Sequence, residues 1–334
     1  MPVWSITPLV LPLRYVWKIS RNASTTKTNL LVRVAADSLS GQGEAAPNVR
    51  YGETPELLQE QFATLQANGL NKVATLATLD ALLAAYPVAH ALSFGLESAL
   101  VQWLATRAGQ PEWQFLGVPA PVPAHTAFTL PIMEPGEVAA FLREQNAARF
   151  DLLKIKVNAA EGLDLLREVT RLLPGHPLLI DGNETWPDAH GVLQFLEKAR
   201  ALPGLNLRLL EQPMPAACTD DYRHLRPRVS VPLIADETVT DTADFAAIAE
   251  QFHGVNMKLM KAGGFRRGID LLRRTRAHGL IPMIGCMVET SVGIAAALQI
   301  NALAEVLDLD GFLVIRDEPF GLVTETEGRL QLRM

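Results

Sequence analysis

Three short stretches of this chain end an apolar run in a carboxylate: Leu179-Ile180-Asp181-Gly182-Asn183, Leu210-Glu211-Gln212-Pro213 and Ala235-Asp236-Glu237. Two more end one in lysine: Leu153-Lys154-Ile155-Lys156 and Asn256-Met257-Lys258-Leu259-Met260-Lys261. Glu289 follows Gly285-Cys286-Met287-Val288, and Asp308-Leu309-Asp310-Gly311 closes the series. A charge at the end of a buried strand is costly unless it is paired or solvated. Solvated loop charges are the bland alternative, and the regular spacing weighs against them.

If Asp181, Glu211 and Asp236 stand on neighbouring strands, three like charges lie side by side, which is strongly unfavourable without a cation between them. Oxygen donors with no His or Cys nearby point to a hard divalent ion, Mg2+ before Zn2+. Lys156 precedes this cluster and Lys258 follows it. A closed ring of strands therefore sets the two lysines on opposite sides of whatever the metal holds. Lysine serves as a base only when burial or a neighbouring cation lowers its pKa. Lys154 shares a strand face with Lys156 and can supply that cation; Lys261 is the corresponding candidate beside Lys258. Two bases facing each other across a metal-bound carboxylate can invert a carbon centre. One lysine removes the proton beside the carboxylate, and the conjugate acid of the other returns a proton to the opposite face. A divalent cation stabilises the charge of the enediolate between those steps. Asn183 and Glu237 are expected to orient a ligand or a lysine.

The elements that must position these groups follow from the hydrophobic pattern. From about Pro123 short apolar runs alternate with helix-period stretches. The runs are His125–Leu130, Leu152–Val157, Leu178–Ile180, Leu207–Leu210, Leu233–Ala235, Gly254–Leu259, Ile281–Cys286 and Leu307–Leu309. Intervening helices are expected at Gly136–Asn146, Ala159–Leu173 and Thr242–Gln251, among others. Repeated strand–helix units imply an α/β fold with a parallel sheet, and eight of them imply a closed (β/α)8 barrel of the TIM type, with charged residues at the ends of seven consecutive strands. The first hundred residues differ: β-like runs at Val3–Pro12 and Leu30–Ala36, a turn at Asp37–Gly43, then helix from Thr54-Pro55-Glu56 to about Gly109. That order predicts an α+β domain over residues 1–118, a barrel over 119–312 and a C-terminal segment over 313–334.

A chain of 334 residues, 49% hydrophobic, has material for a core of that size. The net charge of -6, with no basic stretch, excludes nucleic acid as the expected partner. No clean apolar run reaches membrane-spanning length, because Asp80, Pro87, His90 and Glu97 interrupt the most apolar region. The start lacks the basic and apolar regions of a signal peptide. Cys218 and Cys286 are too few for a disulfide framework, and a reduced cytoplasmic compartment is the simplest reading. Symmetric oligomers are common for such barrels, but the sequence marks no interface.

These motifs, with Asn256-Met257-Lys258-Leu259-Met260-Lys261-Ala262-Gly263-Gly264, resemble the muconate-lactonizing subgroup of the enolase superfamily over essentially the whole chain. The resemblance implies an N-terminal capping domain, a modified barrel and a C-terminal segment that returns to the cap. It implies Mg2+ on Asp181, Glu211 and Asp236, with Lys156 and Lys258 as the acid/base pair. Within the subgroup, Gly285-Cys286-Met287-Val288-Glu289-Thr290 and Asp308-Leu309-Asp310 resemble the dipeptide epimerases, of which L-Ala-D/L-Glu epimerase is one. In those enzymes the Asp-X-Asp pair binds the α-ammonium of the substrate, and Glu289 falls with it in the expected substrate site. Gly43-Glu44-Ala45-Ala46-Pro47 and Arg50-Tyr51-Gly52-Glu53 carry the likeness into the cap. A cap-loop arginine reads the glutamate of Ala-Glu in such enzymes. Here an ungapped comparison sets Asn22 in its place with Arg21 beside it, which leaves acidic, hydrophobic and small dipeptides open. Tyr15 and Trp17 are candidates for an apolar pocket or for domain packing.

The expected activity is epimerisation of the C-terminal residue of a dipeptide. o-Succinylbenzoate synthesis and muconate cycloisomerisation would use the same metal and lysines but need no ammonium site, so Asp308 and Asp310 weigh against them. A Schiff-base aldolase has no use for three converging carboxylates, and a non-catalytic scaffold has no use for the lysines.

Overall fold

The chain is described by a computed structural model covering residues 1–19, 22–240 and 242–333. Its N-terminal part is a three-stranded antiparallel sheet, β1 (Val3–Lys18), β2 (Ala23–Ala36) and β3 (Leu39–Ala45), with β1 at one edge. Pro8 and Pro12 lie within β1, where the edge position spares their missing N–H groups a ladder partner. The strand therefore runs past the Pro12 limit expected from sequence, with a register shift before Trp17. The expected turn at Asp37–Gly43 shrinks to Asp37 and Ser38, both at positive φ, and the rest is β3. Its glycines are there for contact rather than for turning. A Cβ on Gly41 would stand 2.1 Å from the Ala99 carbonyl oxygen, and one on Gly43 2.2 Å from that of Gly95.

Those carbonyls belong to α3 (His90–Arg107), which follows α1 (Pro55–Ala67) and α2 (Leu76–Ala85). The start of α1 is as the sequence reads: Thr54 accepts a hydrogen bond from the Leu57 N–H, and Pro55 opens the first turn. The apolar stretch that includes α3 is buried packing surface. Among the described residues no helix is long and apolar enough to cross a membrane.

After Ala124–His125 (β4) comes an eight-stranded parallel sheet. Its strands are β5 (Phe128–Leu130), β6 (Leu153–Lys156), β7 (Pro177–Asp181), β8 (Asn206–Glu211), β9 (Leu233–Ala235), β10 (Gly254–Lys258), β11 (Ile281–Gly285) and β12 (Val306–Asp308). Every expected barrel strand is present. The first and last approach through the Ala127 N–H donating to Leu307 O at 2.8 Å, and through the Thr129 N–H donating to Asp310 Oδ2 at 2.6 Å. The expected strand His125–Leu130 divides, because β4 pairs elsewhere. It joins the C-terminal hairpin of β13 (Val323–Thr326) and β14 (Arg329–Leu332). Before that hairpin, the chain touches the cap: the Arg316 N–H donates to Pro12 O at 2.8 Å and the Arg14 N–H to Val314 O at 2.9 Å. Among the described residues no helix follows β12, which is where this barrel departs from the regular eightfold pattern.

Candidate active site

Side chains alternate along a strand, so residues two apart share a face. Leu179, Leu209, Ile234 and Met283 form a small apolar cluster of their own. Two residues further along the first three of these strands come Asp181, Glu211 and Asp236. Lys156 pairs in register with Asp181, and Asp181 with Glu211. On the other flank Lys258 pairs with Gly285, and Gly285 with Asp308. One ring of strand ends thus holds a carboxylate triad between two lysines.

Lys156 Nζ donates to Asp181 Oδ2 at 2.7 Å and to Asn183 Oδ1 at 3.0 Å. Lys258 Nζ donates to Asp236 Oδ2 at 2.7 Å, and Lys261 Nζ donates to Asp236 Oδ1 at 2.7 Å and also to the Asp236 carbonyl. Lys154 Nζ lies 2.8 Å from Glu211 Oε2, 2.8 Å from Asp308 Oδ2 and 3.1 Å from Asp181 Oδ2. The other Glu211 oxygen accepts from Asn256 Nδ2 at 2.9 Å. Asn183 Nδ2 reaches toward Glu237 Oε1 at 3.5 Å. All of these groups are buried.

The electrostatics follow from burial set against pairing. Burial pushes Asp181 and Asp236 up, yet Lys154 with Lys156, and Lys258 with Lys261, hold them well below the ordinary carboxylate range. Glu211 is pushed up to about 7 by burial, with Lys154 pulling against it and Asp181 and Asp236 adding to it. Burial, the largest single influence, lowers Lys258, but Asp236, Glu211 and Glu237 together hold its ammonium above the ordinary lysine value. Lys154 pulls Lys258 down, by less than Asp236 raises it. Lys154 itself is pushed down by burial and held well above its ordinary value by Asp181, Asp308 and Glu211.

The residues present fit a hard divalent ion. Asp181, Glu211 and Asp236 offer carboxylate oxygens only, all deeply buried, and one oxygen each from Asp181 and Glu211 already converges on the Lys154 ammonium. Among the described residues no group of three such side chains is gathered closely enough to hold an ion, and Asp181 and Asp236 accept from Lys156 and Lys258.

Above the ring, cap and barrel enclose a cleft. Trp17, Ile19, Asn22, Lys27, Asn29 and Tyr51 line it from the cap. Lys154, Lys156, Asn183, Asp236, Glu237, Lys258, Asp308 and Asp310 line it from the barrel, with Cys286, Met287 and Val288. The β1–β2 hairpin is tied down over the barrel where the Ile132 N–H donates to Lys18 O at 2.9 Å. Asp308 Oδ1 is buried and makes no hydrogen bond among the described residues. Asp310 is pushed up to about 7 by burial and by Asp308. Tyr15 packs edge-on against Phe141 instead of lining the cleft. Arg21 lies outside the described residues.

Two expected site residues stand behind the wall. Lys261 touches the site through Asp236 and the Asn256 carbonyl, outside the cleft lining. Glu289 accepts from the Met287 N–H at 2.7 Å, and burial, with Glu44 beside it, pushes its carboxyl up to about 8. The folded state therefore binds this proton more tightly than the unfolded chain. Its contribution to stability is complete below the ordinary glutamate value and is lost as pH rises through about 8. Glu289→Gln, which keeps the group neutral, is expected to lose less Tm between pH 5 and pH 9 than the wild type. Thermal melts across that range check this; parallel curves would remove Glu289 as the cause.

Sequence reasoning missed Asn256, which period-two spacing from Lys258 would have pointed to. It also missed Gln212, whose side-chain oxygen accepts from the Asp236 N–H at 2.8 Å and holds that strand end. Lys27 and Asn29 had no signal, being alternate residues of an ordinary strand.

A family model described as "Enolase C-terminal domain-like" matches residues 137–319. The L-Ala-D/L-amino acid epimerase of Pedosphaera parvula is 31% identical, over 97% of this chain and 94% of its own. The L-Ala-D/L-Glu epimerase of Bacteroides thetaiotaomicron is 30% identical, over 97% of this chain and 84% of its own. The crystal structure of a dipeptide epimerase from Methylococcus capsulatus, complexed with Mg and the dipeptide L-Arg-D-Lys, is similar at a TM-score of 0.86. It is 28% identical and covers 99% of this chain and 96% of that one. With barrel, cap and ring of strand-end charges in place, the chain belongs to the enolase superfamily and is an isomerase of its epimerase branch.

Proposed function

We propose that this enzyme is a Mg2+-dependent dipeptide epimerase that moves the α-proton of the substrate's C-terminal residue. The observation that carries the reading is the flanking of Asp181, Glu211 and Asp236 by Lys156 on one side and Lys258 on the other. Bound by that triad, the ion supplies positive charge where negative charge builds on the substrate's carboxylate oxygens. Lys156 and Lys258 face the reacting carbon from opposite sides, one removing its proton and the other delivering one. Asp236, 2.7 Å from Lys258 Nζ, favours the ammonium form of that lysine, and once the carboxylate's charge is engaged elsewhere the lysine is free to act as base.

Asp308 and Asp310 supply the ammonium site. The unpartnered Asp308 Oδ1 supports this, because a substrate ammonium there completes its hydrogen bonding. A cycloisomerase or synthase substrate without a cation would leave that oxygen buried and unsatisfied, which disfavours those readings. The free thiols Cys218 and Cys286 fit a reducing cytoplasm.

Incubating the protein with Mg2+ and dipeptide pools in D2O tests the reading by mass spectrometry. A gain of one mass unit in a subset of dipeptides, abolished by a chelator, is the expected result. No uptake in any dipeptide with metal bound would overturn it.

The cap wall offers a further expectation about the substrate. Lys27 is half-buried in the cleft, and burial pulls its ammonium below the ordinary value with no carboxylate compensating. L-Ala-L-Glu is expected to exceed L-Ala-L-Gln in kcat/KM by about tenfold, and Lys27→Met to erase the difference. Equal rates on the two dipeptides in the wild type would exclude this role for Lys27.

A further inference from the structure

The cap and the seventh barrel strand meet at a buried polar cluster that proton transfer does not use. Glu44, at the end of β3, is fully buried, and its carboxylate reaches into the barrel. Oε1 accepts from Asn29 Nδ2 at 2.7 Å and from the Thr290 N–H at 3.0 Å. Oε2 accepts from the Thr290 N–H at 3.0 Å, the Thr290 hydroxyl at 2.5 Å and the Gly293 N–H at 3.2 Å. Thr290 and Gly293 stand at the start of the helix Ser291–Leu298, where N–H groups lack partners within the helix and positive charge collects. A carboxylate of one domain thus caps a helix of the other.

Asn29 adds a second tether, its Nδ2 also donating to Val288 O at 2.9 Å. Glu289 completes the junction from below. A Cβ on Gly293 would stand 2.2 Å from Glu289 Oε2, so the helix start packs directly on that carboxyl. Between β11 and this junction lie Cys286, Met287 and Val288, which line the cleft. The wall they form is a short turn, fixed at one end by the barrel ladder and at the other by Glu44. Lys156 and Lys258 are held by Asp181 and Asp236, and none of these bonds involves the junction.

We infer that Glu44 is a positioning residue for substrate binding: by clamping Thr290 and Gly293 to the cap, it sets the Cys286–Val288 wall against the cap's own wall at Asn29. The inference rests on the dipeptide-epimerase reading for its substrate. It requires that loosening the clamp weaken binding while leaving the proton transfer intact, since a misplaced wall costs complementarity and the lysines stay where they are.

Two variants and two readouts test it. Glu44→Gln keeps the shape but turns an amide NH2 toward N–H donors; Thr290→Val removes the hydroxyl's bond to Glu44 together with its acceptance from the Val292 N–H, and keeps the assay open if the first variant fails to fold. Hydrogen–deuterium exchange over residues 286–298, without substrate, reads the clamp directly. Steady-state kinetics with Mg2+, on the dipeptide the wild type turns over best, read its effect. Faster exchange is expected in both variants. KM is expected to rise about tenfold in Glu44→Gln and less in Thr290→Val, with kcat within about twofold. The double variant should be no worse than Glu44→Gln alone. Unchanged exchange in both variants overturns the clamp. Faster exchange with unchanged KM, or a fall in kcat at unchanged KM, overturns the positioning role. A wild type inactive on every dipeptide overturns the proposed function instead, and the exchange readout then still decides the clamp.

Discussion

Replacing either Lys156 or Lys258 with alanine is expected to abolish epimerisation, lowering the rate by about 10^3-fold or more. In the proposed mechanism each lysine serves one face of the reacting carbon, so losing either would stop inversion in both directions. Exchange is expected to divide between the two variants. The one that retains the base for a given enantiomer should still wash deuterium into that enantiomer without inverting it. The fold tolerates both changes by the charges that remain. Asp236 keeps Lys261 at 2.7 Å after loss of Lys258, and Asp181 keeps Lys154 at 3.1 Å after loss of Lys156. NMR of each separate enantiomer in D2O, with circular dichroism as the folding control, makes the measurement. Full epimerisation by both variants would sink the two-base assignment.

Lys154→Met is expected to have the largest effect on stability. The Lys154 side chain is 2% exposed and ion-pairs with Asp181, Glu211 and Asp308 together. Asp181 keeps Lys156 and Glu211 keeps Asn256 after the substitution, but Asp308 loses the partner of its Oδ2 while its Oδ1 has none. Removing one member of a buried charge network costs about 3–5 kcal/mol, because it leaves charges uncompensated. For a chain of this size that is a fall in Tm of roughly 5–10 °C. Because Asp181 and Glu211 are also the expected metal ligands, Mg2+ should raise the Tm of this variant more than that of the wild type. Thermal melts with Mg2+ and with chelator check both statements. A variant that melts with the wild type in chelator would show that Lys154 is not what compensates these carboxylates.

The eight barrel strands were legible because their signals are local: an apolar run, a charge at its end and a helix-period stretch to follow. The convergence of the carboxylate triad with the two flanking lysines was legible for the same reason. Period-two alternation puts Asp181, Glu211 and Asp236 on one face wherever their strands align, and parallel strands with helical crossovers align in chain order. The cap was less legible. β3 looked like a turn because its glycines serve a close approach by α3, a requirement that lies in another element. The strand expected at His125–Leu130 split because the partner of β4 is a hairpin from the far end of the chain.

What only the tertiary structure decided is which charges meet. Lys154 and Asp308 are 154 residues apart in sequence, and Glu44 and Thr290 are 246. No spacing rule reaches across such distances, since these contacts form only when the first and last barrel strands approach and when the cap seats on the seventh. The sequence by itself determined the chemistry available at each strand end. The packing of cap on barrel determined that Lys154 compensates carboxylates, that Glu289 sits behind the cleft wall and that Lys27 faces into it. The physical reason is one of range: side-chain alternation is fixed within a few residues, whereas the partner of a buried charge is fixed by whichever surfaces the whole fold brings together.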